Sequence, residues 1–188
     1  MNAEEFTKII KKHRRYMQGS PLGLRADLRL KDISGLKLKK INLQSAFLSG
    51  ANLSKCDLSQ ADLSYADLFG ADLSHAILVE ADLSGADMRG AKLRGADLTN
   101  AKLVKTDLRP GSLIDATIKL ARPDMTTEEK AEAKKVQKNI SNTKMSKATL
   151  KSANLEEADM YAVDLVGVNF NKANLTSANL KKANLDDA

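Results

Sequence analysis

Residues 46–103 read AFLSG ANLSK CDLSQ ADLSY ADLFG ADLSH AILVE ADLSG ADMRG AKLRG ADLTN AKL, one unit recurring every five residues. With the Leu position called i, the twelve units hold Leu there eleven times and Met once (Met88). Position i−2 holds Ala eleven times and Cys once (Cys56), i−1 is mostly Asp or Asn, and i+1 is mostly small and polar. On an α-helix a step of five residues turns about 500°, so successive leucines would point in every direction. On a straight strand the side chains alternate, and each successive Leu would change face. The pattern becomes burial-competent if the chain turns a corner once per unit. Then i−2 and i point inward, i−1 and i+1 point outward, and i+2 sits at the bend. Four sides close a square coil of about twenty residues, and stacked coils pair as neighbouring strands about 4.8 Å apart. The interior is a column of Leu, with Ala where a larger side chain would crowd the opposite wall.

The A(D/N)LSx units, from Leu28 to Ile118 and again from about Met145 to Leu185, resemble the pentapeptide-repeat family. The resemblance implies an all-β solenoid, a right-handed quadrilateral β-helix of stacked five-residue repeats. It implies further that the chain can dimerise through its C-terminal coil. Some members of the family look like duplex DNA, with an acidic rod that occupies type II topoisomerases and confers quinolone resistance.

Outward from the ladder, residues 2–18 read as an amphipathic helix. Phe6, Ile9, Ile10, His13 and Met17 recur at helical spacing among Lys8, Lys11, Lys12, Arg14 and Arg15. Gly19-Ser20-Pro21 stops it. A solenoid with an open end exposes unpaired backbone groups and the end of its leucine column, so the helix is expected to be an N-terminal lid, with Phe6, Ile9, Ile10 and Met17 as the cap. A basic amphipathic helix can also touch anionic lipid or nucleic acid; here the apolar face has a nearer use. Lys31, Leu36 and Ile41 fill i−2 slots where Ala is usual, which suggests a wider or distorted first coil against that lid.

The ladder is expected to hold through Leu108, Leu113 and Ile118. Beyond it, Thr126 with Glu129 forms a capping-box signature, and Glu128 to Ile140 is rich in helix formers. A thin stripe of Ala133, Val136 and Ile140 predicts an inserted helix lying on the outer wall. From Ile118 to Leu150 the step is two residues off a multiple of five, so the insertion is expected to replace ladder within one continuous column. The organisation is then 1–24 capping helix and linker, 25–118 first repeat block, 119–144 helical insertion and 145–188 second repeat block.

The chain carries a formal net charge of +6, and its distribution matters more than its total. Residues 1–25 carry +4, 26–118 sum to zero, 119–144 carry +3 and 145–188 carry −1. The repeat wall is balanced, and the excess sits on the two appendages. DNA mimicry needs a strongly negative surface, so the topoisomerase reading is the disfavoured alternative. A balanced wall with 4% aromatic residues offers nucleic acid little to stack on. One cysteine excludes an internal disulfide, and Cys56 reads as a small inward side chain. No apolar run approaches the ~20 residues of a membrane span, and the N-terminus lacks a secretory h-region. A cytoplasmic protein with no membrane contact is expected.

No catalytic constellation is present: His13 and His75 fall in the lid and at a corner, without triad or metal-ligand spacing. No catalytic residue, cofactor or metal is therefore expected. Stacking positions twenty apart gathers Asp67, Asp87 and Asp107 on one wall, with Phe69, Arg89 and Arg109 beside them and Phe47 one coil earlier. Outward Phe47 and Phe69 suggest a contact patch for the inserted helix, a second subunit or a partner, and Ile77 beside Val79 raises the same question on another wall. The function expected is a rigid, non-catalytic protein-binding or scaffold module whose partner the sequence does not name.

Overall fold

The structure is a computed structural model that describes residues 1–140 and 142–188; residue 141, inside the expected insertion, lies outside the described residues. The described residues form three helices: α1 (Ala3–Met17), α2 (Leu113–Leu120) and α3 (Thr127–Asn139). The rest of the chain is a ladder of parallel bridges joining residues twenty apart, from Asp27↔Phe47 through Asp87↔Asp107, always at position i−1. The leucines of the column are buried, with Leu28, Leu43 and Leu48 through Leu83 at 0% exposure.

Each five-residue side places every backbone N–H. The i−1 and i donors pair with carbonyls one coil away (Phe47 to Ala26, Leu48 to Asp67), as does i+2 (Gly50 to Phe69). The i−2 donor closes a turn onto the preceding Leu carbonyl, as Ala51 does on Leu48. That leaves the N–H of i+1, which points away from the ladder. The i−1 carboxylate or amide accepts it: Ser59 and Ser64 donate to Asp57 and Asp62 at 3.0 Å. The Asp/Asn preference at i−1 is therefore a backbone requirement. The corner residue i+2 adopts positive φ even where it is not glycine, as at Gln60 (φ 59°) and Glu80 (φ 58°), the mark of a type II turn. That conformation costs an L-residue about 1–2 kcal/mol, which the bonded coil and the buried leucines outweigh.

Two expectations about the break are corrected. Leu113 and Ile118 are not rungs; they lie on α2, 65% and 71% exposed. The first block therefore closes at Leu108, and helical structure begins before residue 119. The insertion also replaces nothing: Lys144 bridges back to Lys92 and Asp159 to Asp107, so Met145 follows Leu108 as the next rung. The column is continuous. Thr143 seals the re-entry, its hydroxyl accepting from the Gly90 N–H at 2.9 Å and donating to the Arg109 carbonyl at 3.0 Å. The first coil is not distorted either, since Asp32↔Asn52 and Lys37↔Asp57 keep the common register.

At the N-terminal end α1 covers the column with Phe6, Ile9 and Ile10, while Met17 lies half-buried at the rim. Asn2 caps the helix by accepting from the Glu5 N–H. His13 is buried beneath it, its Nδ1 accepting from the Ala26 N–H at 3.1 Å, where the ladder has no preceding rung to supply a carbonyl. Burial, with the charge of Arg25 nearby, pushes the imidazole pKa below its ordinary value, as a ring that must accept at Nδ1 requires.

Candidate interaction surface

The wall bearing Asp27, Phe47, Asp67, Asp87, Asp107 and Asp159 is where the insertion docks. Its corner is built for it: Gly50, Gly70 and Gly90 stand twenty residues apart on one edge. A Cβ on Gly70 would lie 2.8 Å from Ile140 and 3.0 Å from Val136, and one on Gly90 would lie 2.7 Å from Ile140. The bare edge lets α3 lie against the coil, and Leu30, Phe69, Ala116, Leu120 and Ala133 form a second apolar cluster outside the column. Phe69 is completely buried in it. Of the three contacts its outward position suggested, the inserted helix is the one that covers it, so Phe69 is not free for a partner.

Ion pairs fix the same contact. Lys119 of α2 sits between Asp67 and Asp87, 2.9 Å from each. Arg89 holds Asp87 at 2.9 Å and reaches Asp115 of α2 at 3.2 Å. Burial pushes the Asp87 carboxyl pKa up, but hydrogen bonds from Arg89 and Lys119 outweigh it and leave the group below its ordinary value. Arg122 joins Glu129 at 2.5 Å and Asp27 at 3.4 Å, and Lys31 links Glu129 to Glu5 of the lid. The Arg122 hydrogen bond leads in drawing Glu129 down to about 2. Arg109 bridges Asp107 and Asp159 across the break. The stacked carboxylates are thus individually matched by cations. Asp67, Asp87 and Arg89 serve as the insertion's clamp.

Phe47 stays half-buried, with the Arg25 guanidinium 3.8 Å from its ring centre and that of Arg29 at 5.1 Å. Ile77 is 44% exposed beside half-buried Val79 on another wall, apart from the docked helices. As Ile77 carries no acceptor, the Val79 N–H lacks the side-chain partner that Ser59 and Ser64 find in Asp57 and Asp62. Three strongly exposed apolar groups escape the sequence pattern: Leu113, Ile114 and Ile118, 65–75% exposed on one short helix. Reading 113 and 118 as rungs hid them. The signal that could have exposed the dock was the row of corner glycines twenty apart.

No described helix is long and apolar enough to cross a membrane. A family model for pentapeptide repeats matches in eight copies over residues 37–74, 76–109, 139–171 and 153–188. Among solved structures, HetL, a pentapeptide repeat protein involved in heterocyst differentiation regulation in the cyanobacterium Nostoc, is similar at 33% identity and a TM-score of 0.46. The match covers 86% of this chain but 62% of HetL, so the chain spans less than two thirds of that protein. A second pentapeptide repeat protein of Nostoc is 37% identical over 52% of this chain and 76% of its own, with a TM-score of 0.45. QnrB1, a plasmid-mediated fluoroquinolone resistance protein, is 20% identical over 87% of this chain and 72% of its own, with a TM-score of 0.37. The chain matches none of the curated proteins.

Proposed function

The chain belongs to the pentapeptide repeat family, and on that premise we propose that it is a right-handed quadrilateral β-helix acting as a rigid, non-catalytic protein-binding module. Its recognition element is the docked insertion. One observation carries the reading: Leu113, Ile114 and Ile118 stand outward on α2 while Asp115 and Lys119 of the same helix are tied to the wall. An apolar ridge on an anchored helix suits the groove of a partner protein, because the scaffold has already paid the ordering cost of the helix. Affinity capture from native lysate tests this with wild type, Ile114→Asp/Ile118→Asp, and a variant lacking residues 122–142. A protein retained by wild type and lost from both variants supports the reading. Equal capture by the double substitution overturns it.

The topoisomerase alternative is disfavoured on the same wall, where Asp67, Asp87, Asp107 and Asp159 each have a cation at 2.8–3.4 Å. A gyrase supercoiling assay is expected to show no inhibition. Pairing of two chains through the last coil, where Leu185 is 45% exposed, is a further part of the proposal. Light scattering of wild type against Leu185→Asp tests it, and a wild-type monomer at micromolar concentration removes it.

A further inference from the structure

The lid carries a second exposed apolar surface, distinct from the ridge on α2. Gly23 lies so close to α1 that a Cβ there would fall 2.2 Å from the Tyr16 nitrogen, and the Leu24 N–H donates to the Lys12 carbonyl at 3.1 Å. This contact pins the loop after α1 along the flank of the helix and turns its leucines out. Leu22 is 72% exposed, Leu24 56% and neighbouring Tyr16 41%. Beside them runs a basic stripe: Lys8, Lys11, Lys12 and Arg15, at helical spacing and all exposed. Lys8 is tied to Glu4 at 2.7 Å; Lys11, Lys12 and Arg15 have no ion-pair partner among the described residues.

We infer that this end of the rod, through Leu22, Leu24 and Tyr16 flanked by Lys11, Lys12 and Arg15, docks on an anionic lipid surface. The +4 carried by residues 1–25 selects a negative partner, and the exposed aliphatic side chains select one with an apolar layer beneath its charge. Nucleic acid offers the phosphates but nothing for Leu22 and Leu24 to enter. The sequence alone set membranes aside because it contains no spanning run and because Phe6, Ile9 and Ile10 face the column. The lipid contact uses other residues, brought to the helix flank only by the fold.

Co-sedimentation with vesicles of phosphatidylglycerol and phosphatidylcholine in equal parts, against phosphatidylcholine alone, tests the inference. Wild type is expected to pellet with the anionic vesicles only. Leu22→Ser/Leu24→Ser should bind about tenfold more weakly, and Lys11→Gln, Lys12→Gln and Arg15→Gln about fivefold more weakly per charge removed. All five side chains are exposed, and unchanged circular dichroism confirms that the variants fold. The Ile114→Asp/Ile118→Asp protein should pellet as wild type does, which separates this surface from the partner ridge. Failure to pellet with anionic vesicles overturns the inference. So does pelleting that ignores the leucine substitutions, or binding to a short DNA duplex as tight as to the vesicles.

Discussion

The ladder and the insertion lie side by side and are held by different physics. In the ladder each unit repeats the same solution: a leucine inward, an Asx acceptor for the stray N–H, a left-handed corner. Its stability is distributed, and its period is printed in the sequence. The insertion is held at particular places: the glycine edge, the Phe69 cluster, and the pairs around Lys119 and Arg122. A repeat tolerates variation because neighbouring coils share each load. A docked element held by single contacts does not.

The sharpest way to break this contrast is to truncate one aliphatic side chain in each region. Leu83→Ala, in the dry column, should lower unfolding free energy by about 2–5 kcal/mol in chemical denaturation. Ile118→Ala, on the exposed ridge, should stay within about 0.5 kcal/mol. Comparable losses would mean that α2 is packed like a rung.

Next in size is the glycine edge. Gly70→Ala and Gly35→Ala both place a Cβ on a residue of positive φ (62° and 70°), but only the first meets the insertion; nothing lies within 4 Å at the second. Gly35→Ala should cost about 1 kcal/mol. Gly70→Ala should cost more and release α3, read as lost amide-exchange protection over residues 127–139 with the ladder still protected. Equal protection of α3 in both variants would remove the glycine edge from the docking account.

Titration separates three regions in turn. His13 has a folded pKa below its ordinary 6.5, so the stability it lends is full above that value and falls away as pH drops through it. The lid should loosen first, and His13→Gln should flatten that phase. Glu129, lowered from 4.5 to about 2, and Asp87, lowered from 3.8, stabilise above those ordinary values. Their contribution declines as pH falls below those values and is lost through the folded ones, so α2 and α3 should leave the wall as pH drops from about 4.5 toward about 2 while the ladder persists. Lys119→Met should release them at higher pH by leaving Asp67 and Asp87 facing each other. A single acid transition shared by lid, insertion and ladder would contradict this order.

The smallest effect tests the Asx rule within the ladder. Asp62→Ala should cost about 1 kcal/mol by stranding the Ser64 N–H, and Ile77→Asp should stabilise by about 0.5–1 kcal/mol by supplying Val79 with an acceptor. Destabilisation by Ile77→Asp would assign that residue a packing role on its wall.

How much was legible follows from the same contrast. Successive leucines five residues apart admit few backbones, so the coil, its inward and outward faces and the helices at either appendage could be read from local pattern. Leu113 and Ile118 could not. Phe69 could be read as an outward contact but not assigned to one, because only the helix laid over it makes it core. Leu113 and Ile118 keep the period of five by coincidence, and the chain leaves the ladder at Pro110–Gly111 before reaching them. Asp67 and Asp87 could be stacked on paper, but the cation between them comes from Lys119, which follows Asp67 by 52 residues in a segment outside the repeat.

The sequence by itself determined the period, and through it the square coil, because burying leucine is a short-range constraint satisfied anew in every unit. Only the tertiary structure decided which outward residues remain a surface. That choice depends on where a non-repeating segment comes to rest, and its resting place is set by contacts between positions that no local pattern links.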